Sequence, residues 1–195
     1  MKLLVAAVPG SGKTTSLKYT ARRMSGAKIV GTGDLIFEYA RKRYGLKNRD
    51  ETRRMSMAQQ RASQDYAAKK IGKMKNKVVL IDTHLSVKTP SGYIPGGGAH
   101  MMKRIRPDGI VLMEFRPQDV LARRKKDSSR FRDKETAEEI ETQQHVNQEI
   151  AFAISIEFDI PVDIVNLRYK EKKRFEHAEK AAVEIVKIIK RLQKK

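Results

Sequence analysis

The feature that most constrains this chain is an apolar run that leads directly into a glycine-rich turn. Leu3–Val8 is predicted to be a buried strand, and Pro9-Gly10-Ser11-Gly12-Lys13-Thr14-Thr15 follows it without a break. A strand, this loop and a following helix form the sequence pattern of a phosphate-binding P-loop. The alternative is a turn that merely joins a strand to a helix. The pattern favours an α/β fold that binds a nucleoside triphosphate.

The residue types of the loop suit phosphate chemistry. Glycines let several backbone N–H groups turn inward on one phosphate, and the positive end of the helix dipole faces the same anion. Lys13 is expected to bind the β- and γ-phosphates, and the Thr14 hydroxyl to reach Mg²⁺. The usual first glycine of the motif is replaced by Ala7, which a strand end tolerates because it does not need a positive φ there. The expected ATP-binding residues are Ala7, Val8, Pro9, Gly10, Ser11, Gly12, Lys13, Thr14 and Thr15.

Length and composition limit the class of protein. A chain of 195 residues predicts one domain, and no apolar stretch approaches the length of about 20 residues that a membrane-spanning helix needs. We therefore expect a cytoplasmic protein without a membrane partner. The chain has no cysteine, and its four histidines are widely spaced. We expect no zinc site, and any metal should be Mg²⁺ that arrives with ATP.

The charge is strongly positive. The chain has 42 Lys and Arg against 23 Asp and Glu, a formal net charge of +19. Such a surface can attract nucleic acid or steer anionic substrates. It is equally consistent with the lysine-rich, solvated surface of a heat-adapted protein. Charge alone does not decide between them.

Five apolar runs predict the strands of one sheet. They lie near residues 2–8, 28–31, 77–82, 109–115 and 162–166, and longer segments of helical composition separate them. This alternation predicts a five-stranded parallel sheet in a three-layer α/β/α arrangement, with ligands at the carboxyl ends of the strands. Residues 50–75 are expected to form one or two helices, residues 134–157 another, and residues 175–192 the last. The Pro- and Gly-rich segment 89–98 is expected to be a loop.

Two further groups of residues point to phosphoryl transfer. Asp82 ends an apolar strand, where a carboxylate beside a P-loop can hold Mg²⁺ through water, with Thr14 as the other metal-side residue; capping of the next turn is the alternative. His84 is expected either to touch a substrate phosphate or to hydrogen-bond a loop. The run Arg123–Arg132 holds six basic residues. Spaced arginines such as Arg123, Arg130 and Arg132 suit a clamp around a phosphoryl group, whereas a solvated helix end is the alternative.

Four blocks of sequence, taken together, resemble the archaeal adenylate kinases. They are Gly31-Thr32-Gly33-Asp34, Arg49–Arg53, Asp82-Thr83-His84 with the following Lys88–Gly96, and Arg123–Arg132. The Asp-Thr-His block with its Thr-Pro-Ser-Gly-Tyr loop is the most specific of them. The resemblance extends from the P-loop to about residue 166. It implies a P-loop kinase that converts ATP and AMP into two ADP.

The resemblance also implies roles for individual residues. Lys13, Arg123, Arg130 and Arg132 would be catalytic, with no protein nucleophile. Residues 32–73 would form the AMP-binding part and residues 124–134 a short lid without a zinc-bearing insertion. Members are often trimers, so a homo-oligomer is expected. The residues that would bind AMP are Thr32, Arg53, His84 and Lys88.

Two departures and two alternatives accompany this interpretation. Phe37 occupies the position of an arginine that binds the AMP phosphate in bacterial enzymes, so Arg53 would take that role, with Lys88 as the second candidate. Gly96-Gly97-Gly98 differs from the family's usual Pro-Gly-Leu-Pro.

The alternatives are a kinase for another monophosphate, such as CMP or UMP, and an RNA-associated P-loop ATPase or assembly factor.

Overall fold

A parallel sheet of five strands organises the chain. The computed structural model describes residues 1–89, 92–126 and 135–194, without the side chains of Asp50, Arg53 and Thr89. The strands of the main sheet are β1 (Lys2–Ala6), β2 (Ala27–Gly31), β3 (Val78–Thr83), β6 (Gly109–Phe115) and β7 (Val162–Leu167). All pairings are parallel, in the order β2-β3-β1-β6-β7. The predicted sheet is confirmed.

Seven helices cover the two faces of the sheet within the described residues. They are α1 (Lys13–Arg22), α2 (Thr32–Tyr44), α3 (Met57–Gly72), α4 (Ala99–Ile105), α5 (Pro117–Lys126), α6 (Ala137–Phe158) and α7 (Glu176–Leu192), with a 3-10 helix at Arg49–Arg54. The segment 50–75 is therefore divided between the 3-10 helix and α3. Residues 124–126 of the predicted lid belong to the end of α5, and residues 127–134 lie outside the described residues.

Alternate residues of the central strand divide the core into two. Leu3 and Val5 of β1 join the apolar cluster that contains Leu17 of α1 and Ile185 of α7. Leu4 and Ala6 join the cluster on the opposite face, formed with α3, α4 and α6. Because successive strand side chains point to opposite faces, a strand that is apolar throughout must be covered on both sides. This explains the three layers.

Local sequence determines where the helices begin. Thr136 accepts a hydrogen bond from the Glu139 N–H while the Glu139 side chain accepts one from the Thr136 N–H, a capping box that starts α6. Ser56 and Gln59 start α3 in the same way. Helix α2 ends at Gly45, which takes the left-handed conformation with φ 72°.

The structure agrees only in part with the loop predicted at residues 89–98. Ser86–Thr89 (β4) and Gly92–Pro95 (β5) pair as an antiparallel hairpin. The loop prediction was wrong for Gly92–Pro95, because a short two-stranded ribbon needs little apolar sequence of its own when it rests on a helix. Ser86 is buried and contacts α6 through Asn147, at 2.7 Å between Oγ and Oδ1. No helix in the described ranges is both long and apolar enough to cross a membrane.

Candidate nucleotide site

The P-loop joins β1 to α1 at the carboxyl edge of the sheet. Gly10 and Gly12 adopt φ values of 78° and 100°, which only glycine takes without strain. The carbonyl of Gly12 accepts a hydrogen bond from the Ser16 N–H, which opens α1. Ala7 does not need a positive φ, as expected, since the described non-glycine residues with positive φ lie elsewhere. The loop therefore has the backbone that a phosphate cradle requires.

The loop carries a buried hydroxyl that lacks a hydrogen-bond partner among the described residues. Ser11 is 1% exposed, and its Oγ has no hydrogen-bond partner within the described part of the chain. A buried polar atom without a partner is costly in a folded protein. An incoming anion that accepted a hydrogen bond from this hydroxyl would remove that cost, so the observation fits a phosphate ligand.

Three predicted residues meet beside the loop. Lys13 is 4% exposed, and its Nζ forms an ion pair with Asp82 at the end of β3. The Thr14 hydroxyl donates to the other carboxylate oxygen of Asp82, at 2.8 Å. The register places Asp82 opposite Val5 of β1, one residue before the strand ends. The pairing of β1 with β3 therefore brings these three side chains together across a separation of 68 residues between Thr14 and Asp82.

Arg123 of α5 lies over the mouth of the P-loop. One terminal nitrogen, Nη1, donates to the Ser11 carbonyl at 2.6 Å. The other, Nη2, donates to Glu171 at 2.8 Å and to the ring of His177 at 2.6 Å. The guanidinium also stacks on Phe115, 5.3 Å from the ring centroid. These contacts hold the predicted catalytic arginine in one place.

Arg124, the next residue, supports the loop from another side. Its Nε donates to the Pro9 carbonyl at 2.8 Å, and its Nη1 forms an ion pair with Glu135. The side chain is 6% exposed. The sequence interpretation placed only the spaced arginines at the site, and it missed this one. The signal was present, because neighbouring residues on a helix project about 100° apart and both can reach one loop.

His177 and Glu171 are also site residues that the sequence interpretation missed. Burial lowers the pKa of His177, against the opposing effects of the Glu171 charge and the Tyr169 carbonyl. Burial raises the pKa of Glu171, but the His177 N–H and the Arg123 guanidinium more than offset it, so that the pKa lies below its usual value. A neutral imidazole and an ionised carboxylate therefore surround Arg123.

Two of the predicted AMP-binding residues turn toward the protein. The His84 ring nitrogen Nδ1 lies 2.9 Å from the Ala7 carbonyl, which is the loop-bonding alternative given above. The Thr32 hydroxyl is buried, 3.1 Å from the Thr83 hydroxyl and 3.3 Å from the Asp82 carbonyl. Both residues lie at the carboxyl end of β3.

Lys88 lies on the hairpin and pairs with α6. Its Nζ is 2.7 Å from Glu139 Oε1, and its side chain is 35% exposed. The Lys88 ammonium, with the Thr136 N–H, lowers the pKa of Glu139. The side chain of Arg53 and all of Arg130 and Arg132 lie outside the described residues.

The side chains of Asp82 and Thr14 form a donor set suited to a metal ion. Carboxylate and hydroxyl oxygens are the ligands that Mg²⁺ prefers, and magnesium in kinases uses one or two protein groups together with substrate phosphates. Asp82 and Thr14 provide such a pair, with oxygens 2.8 Å apart. The residues present therefore fit a magnesium ion brought with a nucleotide. Among the described residues, no group of three or more His, Cys, Asp or Glu side chains could hold a metal alone.

Comparison with known proteins gives consistent results. A family model described as "AAA domain" matches residues 6–141. The chain is 43% identical over 197 residues to an adenylate kinase of Pyrobaculum aerophilum, covering 100% of both chains. It is 40% identical to the adenylate kinase of Thermoplasma volcanium, covering 97% of this chain and 100% of the relative. It is 36% identical to that of Pyrococcus horikoshii, covering 96% and 94%.

Solved structures support the fold. A shikimate kinase from Acinetobacter baumannii in complex with shikimate superposes with a TM-score of 0.60 at 14% identity, over 97% of this chain and 92% of that one. A shikimate kinase from Bacteroides thetaiotaomicron gives 0.57 at 16% identity, over 97% and 98%. At such identities the likeness concerns the P-loop kinase fold alone. The full-length relatives at 36% to 43% identity show that the chain belongs to the adenylate kinase family.

Proposed function

We propose that this family member transfers the γ-phosphoryl group of ATP to AMP, forming two ADP in a reversible reaction. The observation that carries the proposal is the convergence of Lys13, Thr14, Asp82 and Arg123 on one P-loop. The identity with adenylate kinases over the full chain supports AMP as the acceptor. A phosphate oxygen of AMP attacks the γ-phosphorus in line, the bond to the bridging oxygen breaks, and ADP leaves. No protein nucleophile takes part.

Lys13 would act first by exchanging its partner. Its ammonium forms an ion pair with Asp82. The phosphates of ATP offer more negative charge at the same loop, so Lys13 would turn to their β- and γ-oxygens. There it stabilises the charge that develops on the transferring group, and a buried lysine does so in a low dielectric.

Thr14 and Asp82 would hold Mg²⁺. The ion they would hold would supply positive charge that offsets the negative charge of the phosphates. The exchange that frees Asp82 from Lys13 leaves a carboxylate for the metal's hydration shell. Separation of Lys13 from Asp82 would thus make the ammonium available to phosphate and the carboxylate available to the metal. Phosphate binding and metal binding would therefore be coupled at this site.

Arg123 would contact the phosphoryl group during transfer. Its Nε–H and one N–H of Nη1 have no partner among the described residues, while its other donors are held by Ser11, Glu171 and His177. A guanidinium that is already oriented binds phosphate oxygens with less loss of side-chain entropy. Arg130 and Arg132 are proposed to complete the clamp, with residues 124–134 closing as a lid that excludes water.

The acceptor side is proposed to lie at residues 32–73 and at the hairpin. Thr32 would lie near the AMP base, Arg53 would bind the AMP phosphate, and Lys88 and His84 would assist. The Lys88–Glu139 pair is partly exposed, so its ammonium can exchange a carboxylate for a phosphate at little cost.

One assay tests the proposal. ADP formation from Mg·ATP is measured with AMP, CMP, UMP, GMP and no acceptor, using one enzyme preparation, with and without a chelator in excess over Mg²⁺. Fast turnover that requires AMP and is abolished by the chelator is the expected result. Preference for CMP or UMP would assign another monophosphate kinase. ATP hydrolysis that needs no acceptor and rises with added RNA would replace the proposal with an RNA-associated ATPase.

A further inference from the structure

A buried histidine on helix α7 is linked to the P-loop by hydrogen bonds through Arg123. His177 lies in the first turn of α7, and its side chain is 3% exposed. Its ring sits between two aromatic rings, those of Phe115 and Tyr169, with centroids 5.6 and 4.6 Å away. Both contacts are edge-to-face, at 74° and 78° between the ring planes. Packing on two sides therefore leaves the imidazole little freedom to rotate.

Hydrogen bonds define the tautomer of this imidazole. Nε2 lies 2.8 Å from the Tyr169 carbonyl oxygen. A carbonyl oxygen only accepts, so Nε2 carries the proton and donates it. Nδ1 is then a lone-pair acceptor in the neutral ring. It lies 2.6 Å from Nη2 of Arg123, which can only donate. The chain's geometry is consistent with a neutral imidazole of one defined tautomer.

Glu171 is the second partner of Nη2 of Arg123, and together with His177 it forms a cradle for this nitrogen. Its Oε2 accepts from Nη2 of Arg123 at 2.8 Å, and its Oε1 accepts from the backbone N–H of His177 at 2.9 Å. Both hydrogens of Nη2 are thereby occupied, one by a carboxylate and one by an imidazole. Because the guanidinium is planar, fixing Nη2 at two points and Nη1 at Ser11 fixes the directions of the remaining N–H groups.

We propose that His177, with Glu171, is a positioning residue for phosphoryl transfer: it holds the Arg123 guanidinium in the orientation that presents its remaining donors to the phosphates above the P-loop. The inference rests on the proposed contact of Arg123 with the transferring group. It assigns the start of α7 and the segment before it a part in catalysis. Polar contacts from the P-loop, from the segment after β7 and from the first turn of α7 all converge on this one arginine.

The geometry also explains why an imidazole suits this position better than a second carboxylate. A second carboxylate here would add a second negative charge beside that of Glu171 and make the group around Arg123 net negative, which would repel phosphate. A neutral acceptor orients the guanidinium without adding that charge. Misplacement of such a group by about 1 Å can cost on the order of 100-fold in rate.

The test is a double-mutant cycle between His177 and Arg123. His177→Leu removes the acceptor but keeps apolar volume in the buried site, and Arg123→Met removes the group that is positioned. If His177 acts through Arg123, His177→Leu lowers kcat about 10- to 100-fold in the natural background, with little change in the KM for AMP. In the Arg123→Met background the same change has almost no further effect. An equal fold loss of kcat from His177→Leu in both backgrounds would overturn the proposal.

A conservative variant separates positioning from folding. The amide oxygen of Asn lies near the place of Nδ1, so His177→Asn should recover most of the kcat that His177→Leu loses. If His177→Leu does not fold, as judged by its thermal unfolding, the comparison of His177→Asn with Glu171→Gln carries the test. Full activity of folded Glu171→Gln would contradict the proposed cradle. The control is Glu179→Gln on the same helix, an exposed partner of Lys173, which should stay within about twofold.

One measurement is independent of activity. In the isotope-labelled protein, the imidazole nitrogens of His177 should report a proton on Nε2 and an acceptor Nδ1, and Arg123→Met should shift the Nδ1 signal. A protonated Nδ1 would refute the hydrogen bond even in an active enzyme. Conversely, the expected signals in a protein that forms no ADP would leave the cradle intact and show that the proposed function had failed.

Discussion

The two sets of cations predicted to bind substrate differ in how they are held. Lys13 is 4% exposed and its partner Asp82 is also a site residue. Lys88 is 35% exposed and pairs with Glu139, whose capping role lies outside the P-loop. The buried pair is prearranged at the cost of desolvation, whereas the exposed pair is weak and readily exchanged. The difference in burial explains why replacing Lys13 should remove most of the catalytic rate. Replacing Lys88 should instead affect mainly the binding of AMP.

The largest expected effect comes from Lys13→Met. The variant keeps the apolar stem but loses the charge at the β- and γ-phosphates, and kcat should fall by about 100- to 1000-fold. The control is Lys18→Met, an exposed lysine on the same helix, which should retain activity within about twofold. Steady-state ADP formation measures both. Near-normal turnover of Lys13→Met would remove the basis of the comparison.

A smaller and more selective effect is expected on the acceptor side. Arg53→Ala and Lys88→Ala should each raise the KM for AMP by about tenfold, the loss of one charge-assisted hydrogen bond, with the KM for ATP nearly unchanged. Lys187→Ala serves as the control, since Lys187 pairs with Glu184 on the surface of α7. Initial rates over a grid of both substrates give the two constants. Equal increases in both KM values would show that these residues are not specific to AMP.

Releasing Lys88 from Glu139 should change the KM for AMP in the opposite direction. Glu139→Gln removes the competing carboxylate but can keep the capping box, because Gln also serves at this helix position. We expect the KM for AMP to fall by about two- to threefold, in line with the small energy of an exposed ion pair. The unfolding temperature of the variant shows whether the cap is kept. An unchanged or raised KM in a stable variant would indicate that Lys88 does not exchange partners.

The smallest expected effect concerns an ion pair between α2 and α3. Hydrogen bonds from Lys70 and Tyr66 lower the pKa of Glu38 to about 2. Because the folded pKa is depressed, the stabilisation is complete above the unfolded value and is lost as the pH falls toward about 2. Glu38→Gln should therefore lower the unfolding temperature slightly at pH 7. The difference between the two proteins should shrink as the pH is lowered, and a constant difference would contradict the assignment.

The sequence predicted the elements that rest on local pattern. The five parallel strands were predicted because each is a short apolar run. The family was predicted from motifs that follow those strands, and full-length relatives confirm it. The site residues Lys13, Thr14 and Asp82 came from the same logic, since a P-loop and a strand-end carboxylate meet whenever β1 and β3 are neighbours. Their proximity in the structure agrees with that expectation, while their roles stay predictions.

What the sequence did not predict depends on contacts between distant segments. Helix α6 buries Gln143, Gln144 and Asn147, three polar residues that by type alone are expected in solvent. Gln144 is buried because its amide bonds both backbone groups of Phe115, at 2.8 and 3.1 Å. His177 and Glu171 were missed for the same reason. Their partner Arg123 lies 48 residues or more away in the chain, so no periodicity brings them together.

The order of the strands has a consequence for biosynthesis. Strand β1 lies at the centre of the sheet, and its neighbours are β3, which ends at Thr83, and β6, which ends at Phe115. A ribosome makes about 5–20 residues per second, so the central strand waits several seconds for its first partner. Pairing over such separations is slow for entropic reasons. During translation the nascent chain therefore exposes Leu3–Ala6 as an unpaired edge on both sides, the period in which a chaperone would have most to protect.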